Sequence, residues 1–231
     1  GKQVKFEGFL TDRFTDEAIR MAKSAKNPFF LFLSYTAPHA PLEAEQADLD
    51  RANQDAYVAL VQNMDDNIGR LIASLEEQEI RDNTLIWFFS DNGGVCASAS
   101  NVPLNGKKGI KFEGGQRVPF IMNWPGHVPA GKTYNGLTST MDIFPTSFKL
   151  GGGIKTPRPL DGVDLWAALL SNGSSPRTSA CRPVTTTSRS GVSHASSPSY
   201  VCTTALPLDM KTTIGRASAQ ILGPAPVTLP E

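Results

Sequence analysis

The chain has 231 residues, 40% of them apolar and 19% charged, which is enough material for a buried core and excludes disorder throughout. Its 22 basic residues balance 22 acidic ones, so the chain has no net positive charge that would favour nucleic acid or an anionic membrane as a partner. The longest apolar runs have the length of a strand, far short of the roughly 20 residues that cross a bilayer. We assign no chemistry to the three irregularly spaced cysteines, Cys96, Cys181 and Cys202.

Helix-like and strand-like patterns alternate up to about residue 170, as in an α/β domain. Thr15 is predicted to cap a short helix that carries Ile19 and Ala22 on one face. The run 29–33 is apolar without alternation, which predicts a central strand covered on both faces.

The strongest local pattern predicts an amphipathic helix over residues 55–78, where apolar residues recur at steps of three and four. The run 85–89 predicts a second buried strand, and 118–124 a third. Two further helices are expected to begin near residues 141 and 165. Residues 171–231 are rich in Ser, Thr and Pro and hold a single aromatic residue, Tyr200, so we predict that this tail is disordered or translated in a wrong frame.

Polar side chains follow the first two predicted strands, where open α/β sheets bind their ligands. His39, between two prolines, could donate a hydrogen bond or a proton to an anion, although a packed loop histidine is the commoner role. Asp91 and Asn92 offer hard oxygens for calcium or magnesium, although an Asx-turn would use the same residues.

A third polar segment is rich in glycine and carries two adjacent ammonium groups, Lys107 and Lys108. Such a loop could clamp an oxyanion such as sulfate or phosphate, although alone it is usually a solvated turn. The three segments, in this order and at these intervals, are much more specific than any one of them.

Together these motifs resemble the sulfatases, specifically the arylsulfatase and N-acetylgalactosamine-sulfatase type, over about residues 1–170. The matching motifs are Ala37-Pro38-His39-Ala40-Pro41, Met64-Asp65, Ser90-Asp91-Asn92-Gly93-Gly94, Lys108-Gly109, Glu113-Gly114-Gly115-Gln116-Arg117-Val118-Pro119, Trp124-Pro125-Gly126, Asp142-Ile143-Phe144-Pro145-Thr146 and Leu160-Asp161-Gly162-Val163-Asp164-Leu165.

The resemblance implies an alkaline-phosphatase-like α/β sandwich with a mixed central sheet and helices on both faces, incomplete here at both ends. Residues 1–147 would be the carboxyl-terminal part of the catalytic domain, 148–170 the start of a small subdomain, and 171–231 the tail. For localisation, the resemblance suggests the periplasm, the lysosome or secretion.

The implied activity is hydrolysis of aryl or carbohydrate sulfate esters, in which a hydrated formylglycine made from Cys or Ser attacks sulfur beside a calcium ion. By this resemblance Asp91 and Asn92 are calcium ligands, and His39 and Lys108 contact the sulfate group and its leaving oxygen. The expected partner is a sulfated small molecule or glycan.

Two departures from the family pattern concern the nucleophile and the metal. The formylglycine motif, Cys or Ser followed by x-Pro-x-Arg, is absent, since Cys181-Arg182-Pro183-Val184-Thr185 lacks the arginine. An amino-terminal aspartate pair that would complete the calcium shell is also absent, so we expect weak calcium binding and no activity from the chain alone.

Two alternatives stay open. One is a phosphodiesterase or phosphonate hydrolase of the same superfamily, although zinc-dependent relatives need more histidines than His39, His127 and His194. The other is a non-catalytic remnant that binds sulfated glycans.

Overall fold

The computed structural model describes residues 5, 7–95, 97–171 and 173–177, and the backbone of 202–203 and 217–222. The helices are α1 (Leu10–Ser24), α2 (Gln46–Arg51), α3 (Ala56–Glu77), α4 (Glu113–Gln116), α5 (Ile143–Leu150) and α6 (Trp166–Ser171). The strands are β1 (Phe30–Ser34), β2 (Leu85–Ser90), β3 (Phe120–Asn123), β4 (Thr138–Ser139), β5 (Cys202–Thr203) and β6 (Ala217–Leu222). None of the described helices combines the length and the apolar character needed to cross a membrane.

The central sheet has the strand order β1-β6-β2-β3, and each neighbouring pair is antiparallel. Leu222 of β6 lies opposite Phe30 on one side and Leu85 on the other. The strands β1 and β2 therefore run in the same direction and are joined through the backbone of β6. The strands β4 and β5 form a separate antiparallel pair.

One face of the sheet is covered by α1 and α3. Leu31 and Leu33 of β1 and Ile86 of β2 pack there against a buried cluster that includes Met64 and Leu71 of α3. The predicted helix over 55–78 is confirmed. Asp55 is its N-cap, because the Asp55 carboxylate accepts hydrogen bonds from the backbone N–H groups of Tyr57 and Val58. The periodic apolar face of α3 is the face that packs on the sheet.

The other face of the sheet is covered by α5 and α6. The side chains of Leu85, Trp87 and Phe89 alternate with those of the first face, as the pleat requires, and join Phe120 of β3 in a second buried cluster. Trp87 is fully buried, and its indole N–H donates to Ser147 Oγ on α5 at 3.0 Å. The α/β architecture with helices on both faces of the sheet is thus confirmed.

A polar network also joins α1, α2 and α3. Asn67 Nδ2 donates to Asp12 Oδ1 of α1 at 2.6 Å, and Asn63 Nδ2 donates to Asp48 Oδ2 of α2 at 3.1 Å. Asn63, Asn67 and Asp48 are all buried, so these bonds satisfy groups that water does not reach. The network and helix α2 have no counterpart among the predicted elements.

Two predictions for the first elements are wrong. Thr15 is not a cap, because α1 begins five residues earlier, at Leu10, and Thr15 is buried in its middle. The first strand is not covered on both faces, since Phe30 and Phe32 are 57% and 51% exposed while Leu31 and Leu33 are buried. Helices α5 and α6 lie over β2 and β3 and leave β1 uncovered on that side.

The predicted tail falls largely outside the described residues. Within it, the structure describes 173–177 and the strands β5 and β6. The Arg177 guanidinium forms a bidentate ion pair with the fully buried Asp142 carboxylate, with Nε 3.1 Å from Oδ2. This pair attaches Arg177 to the rest of the domain. The prediction for the tail as a whole, and the domain boundaries, stay predictions.

Candidate active site

His39 lies in the loop that leaves β1, in a turn closed by the bond from its backbone N–H to Thr36 O at 3.0 Å. Its ring nitrogen Nδ1 is 2.7 Å from Ala40 O. Since a carbonyl oxygen can only accept, Nδ1 must carry the hydrogen, and in the neutral ring Nε2 is then an acceptor. This contact fixes both the tautomer and the orientation of an exposed histidine.

The partner of His39 Nε2 is Lys108, whose Nζ lies 3.1 Å away. With Nδ1 protonated, the ammonium group donates and the imidazole accepts. The two residues are 69 positions apart in the sequence, and the fold places their nitrogen atoms side by side at the surface. An anion that reached this point would meet an ammonium group and a protonatable imidazole together.

The backbone of Lys108 is anchored to the loop that follows β2. Its N–H donates to Gly94 O at 3.1 Å, and Gly93 N–H donates to Gly115 O at 3.1 Å. The Asp91–Gly94 segment, α4 and the loop 105–112 that carries Lys107 and Lys108 (the lysine loop) are therefore joined by main-chain bonds. This brings the three polar segments of the sequence to one end of the sheet.

The glycines of these segments permit a very close approach of backbones. A Cβ on Gly93 would lie 1.8 Å from Gly114 O, and a Cβ on Gly115 would lie 2.1 Å from Ile110 O. No side chain fits at either position without moving the main chain. Gly93, Gly114 and Gly115 thus allow the loop after β2, the loop that carries Lys108 and α4 to pack backbone against backbone.

Asn101 is a residue of this region that sequence reasoning missed. Its buried amide accepts from Gly94 N–H at 2.9 Å, donates to Gly94 O at 3.0 Å and donates to Gly106 O at 3.2 Å. Asn101 therefore connects the loop after β2 to the lysine loop through hydrogen bonds to the backbone of both. A lone Asn before Val-Pro gives no signal of this role, because the partners are backbone groups.

Tyr35 anchors the start of the His39 loop. Its hydroxyl lies 2.8 Å from Thr15 Oγ1, and Thr15 Oγ1 donates in turn to Thr11 O at 3.0 Å, so Tyr35 is the donor to Thr15. Burial of the side chain raises the pKa of the Tyr35 hydroxyl to about 12. The hydroxyl therefore stays protonated to a higher pH than that of an exposed tyrosine.

Asp91 and Asn92 lie where the sequence predicts them, directly after β2. Ser90 Oγ donates to Asn92 O at 3.1 Å, and Asn92 Nδ2 donates to Gly93 O at 3.2 Å, which is the local bonding of a tight turn. Their oxygens suit calcium in type. However, two side chains supply about three of the 6–8 oxygens that calcium takes, and the described part of the chain contains no cluster of three or more His, Cys, Asp or Glu residues arranged for a metal.

Three comparisons with known proteins bear on this region. The family profile named Sulfatase matches residues 2–154. The N-acetylgalactosamine-6-sulfatase of Sus scrofa is 40% identical over 174 residues, which cover 71% of this chain and 33% of that protein. The steryl-sulfatase of Mus musculus is 36% identical over 173 residues, which cover 70% of this chain and 28% of that protein.

A solved structure described as Ps i-CgsB in complex with k-i-k-neocarrahexaose superposes with a TM-score of 0.72 at 39% identity, covering 75% of this chain and 41% of that one. This neighbour supports the alkaline-phosphatase-like fold. The chain spans about a third of the length of the curated relatives that it matches. On the profile match and these similarities, the chain belongs to the sulfatase family.

Proposed function

We propose that this chain forms the sulfate-binding part of an active site that hydrolyses sulfate esters, with His39 and Lys108 as the residues that contact the sulfate group. The observation that carries the proposal is the 3.1 Å contact between Lys108 Nζ and His39 Nε2. Both groups stand on loops whose position is fixed by backbone bonds. Sulfated sugars are the proposed substrate class, because the names of relatives refer to N-acetylgalactosamine 6-sulfate chemistry and to a neocarrahexaose complex.

The chemistry of the two side chains follows from their hydrogen bonds. When a sulfate oxygen approaches, the Lys108 ammonium donates to it and no longer needs His39 as an acceptor. His39 Nε2 can then bind a proton while Nδ1 keeps its bond to Ala40 O, which leaves both ring nitrogens as donors. That Nε2 proton is the one that His39 would give to the ester oxygen as the alcohol leaves.

Asp91 and Asn92 are proposed as two ligands of a calcium ion whose other ligands come from outside the described residues. The roles of His39 and Lys108 do not depend on that ion. The nucleophile is a separate matter, because the formylglycine motif of the family is absent from this sequence. We therefore propose that the chain alone binds sulfate esters without hydrolysing them.

The test uses the full 231-residue chain with 4-nitrophenyl sulfate and calcium. We expect no release of 4-nitrophenolate and saturable binding by calorimetry. Lys108→Ala removes a charged hydrogen bond of about 1.5–3 kcal/mol, so affinity should fall by roughly ten- to a hundredfold.

Lys107→Ala is the matched control, because it removes the same charge from the exposed neighbouring residue. Its effect on affinity should be less than about twofold, the level expected of a screened surface charge. Equal losses in the two variants would contradict the assignment of Lys108. Sustained turnover by the chain would contradict the proposal that it lacks a nucleophile.

A further inference from the structure

A groove of about 880 Å³ lies between the end of α2, the first turns of α3 and the loop 98–100. Its volume is within the ~300–1,000 Å³ range of small-molecule sites. Val58 and Val61 of α3, with Tyr57, give the groove an apolar part, and Ser98 and Ala99 line it from the loop 98–100. The apolar groups could contact the C–H face of a sugar ring, and the polar groups its hydroxyls.

The loop wall of the groove is attached to the candidate active site. Ser100 directly precedes Asn101, whose amide binds both the N–H and the C=O of Gly94. Gly94 O also accepts from the backbone N–H of Lys108 at 3.1 Å. Since consecutive Cα atoms are only about 3.8 Å apart, the groove begins within a few residues of the backbone that holds Lys108.

The charges that line the groove disfavour an anion. Asp55 and Asp65 contribute carboxylates, and the only described cation in the lining is Arg51. Arg51 is already paired with Asp48 at 2.8 Å and with Asp66 at 2.7 Å. A sulfate group in this groove would therefore face net negative charge, whereas hydroxyl groups could donate to the carboxylates.

Gln62 supplies an acceptor that lacks a donor. Its Oε1 atom is enclosed, and it has no hydrogen-bond partner among the described residues. A buried acceptor without a donor costs free energy, which a ligand hydroxyl would recover when the Gln62 side chain rotates toward the groove. Gln62 lies one turn along α3 from Val58, on the side of the helix that lines the groove.

We propose that this groove binds an uncharged sugar unit of the same glycan whose sulfate group is contacted by His39 and Lys108. The inference rests on the proposed function, because it extends that site to a neighbouring unit of its substrate. The groove selects against a second sulfate through Asp55 and Asp65, and Gln62 accepts a bond from a sugar hydroxyl after its side chain rotates toward the groove.

The test measures saturation-transfer NMR signals of neocarrahexaose, with and without its sulfate groups, in the presence of the full chain. The desulfated oligosaccharide should give signals with the native chain and with Lys108→Ala. Val58→Trp fills the groove and should reduce those signals by roughly tenfold or more. Gln62→Leu removes the acceptor at similar size and should reduce them in the same direction.

Gly69→Trp is the matched control, since it places the same side chain on the same helix where a new Cβ meets no atom within 4 Å. It should leave the signals unchanged. Ser98→Trp obstructs the groove from the loop side, so the result does not depend on α3 alone.

Native-like signals in both Val58→Trp and Ser98→Trp, or no signal from the desulfated oligosaccharide with the native chain, would overturn the inference. Loss of the desulfated signal in Lys108→Ala with retention in Val58→Trp would also overturn it. Failure of the proposed function has a different result, in which Lys108→Ala leaves binding of 4-nitrophenyl sulfate unchanged.

Discussion

At the scale of single residues, the placement of the His39 loop depends on a tyrosine that touches no part of the candidate site. The Tyr35 hydroxyl donates to Thr15, which donates to Thr11 O within α1. The loop therefore starts from a fixed point on a helix that packs on the sheet. This chain of bonds requires the neutral hydroxyl, because a phenolate has no hydrogen to donate.

The first prediction concerns the pH dependence of stability. Since folding raises the pKa of Tyr35 to about 12, the folded chain keeps a proton that the unfolded chain loses near pH 10. The contribution is complete below pH 10 and is lost as the pH rises toward 12, by about 2 kcal/mol. Urea unfolding of the native chain and of Tyr35→Phe at pH 9 and pH 11.5 measures it. A fall of the same size in Tyr35→Phe would assign the loss to other groups.

At the scale of elements, the loop after β2 and the glycine-rich segment that includes α4 are joined by backbone hydrogen bonds at their glycines, although neither forms a strand there. Gly93 N–H bonds to Gly115 O, and Gly114 N–H bonds to Asn105 O at 2.7 Å. Because these contacts are between backbones, a change of one methyl group affects both loops. The position of Lys108 depends on this packing, because its backbone N–H donates to Gly94 O in the loop after β2.

The second prediction is that Gly93→Ala destabilises the fold by about 1–3 kcal/mol and weakens sulfate binding, because its Cβ would overlap Gly114 O. Gly69→Ala is the control, since its Cβ meets nothing and alanine favours a helix by about 0.5–1 kcal/mol over glycine. Unfolding midpoints of the two variants should move in opposite directions. A stable Gly93→Ala with native affinity would show that the loops can separate without harm to the site.

At the scale of the whole molecule, the segment after α6 is joined to the body by a buried ion pair. Asp142 is fully buried and accepts from the N–H groups of Ser139 and Val163 as well as from the Arg177 guanidinium. This carboxylate therefore connects the start of α5, the loop before α6 and the chain beyond it. Removal of the Arg177 guanidinium would leave the buried Asp142 carboxylate with only the N–H groups of Ser139 and Val163 as donors among these three partners.

The third prediction is a loss of about 3 kcal/mol in the free energy of unfolding for Arg177→Met, at the lower end of the range for breaking a buried pair, because two donors to Asp142 remain. Lys149→Met breaks an exposed pair with Asp164 at 2.7 Å and should cost less than about 1 kcal/mol. Chemical denaturation of both variants gives the comparison. Equal small losses would mean that the Arg177 contact adds nothing to the fold.

The sequence predicts those elements whose signal is local. The helix α3 and the strand β2 follow from periodicity and from apolar runs, and their observed bounds differ from the predicted ones by one residue at most. The exposure of Phe30 and Phe32 could not be predicted in this way, because it depends on which elements lie over β1. The bonds between Asn67 and Asp12 join residues 55 positions apart and give no local signal.

In the candidate site too, the features with a local sequence signal could be predicted, and those that depend on tertiary packing could not. His39, Lys108, Asp91 and Asn92 were identified by motif, and their roles stay predictions. What the structure adds is the distance between His39 and Lys108, the tautomer of the imidazole and the anchoring by Asn101. Each of these depends on loops folded against one another.

The position of β6 between β1 and β2 has a consequence for synthesis of the chain on the ribosome. Phe30 pairs with Leu222, so the centre of the sheet cannot close until β6 has been synthesised. At ~5–20 residues per second, the facing edges of β1 and β2 wait unpaired for seconds to tens of seconds. During that time they are open to other strands, and a cell that makes this protein would have to shield them.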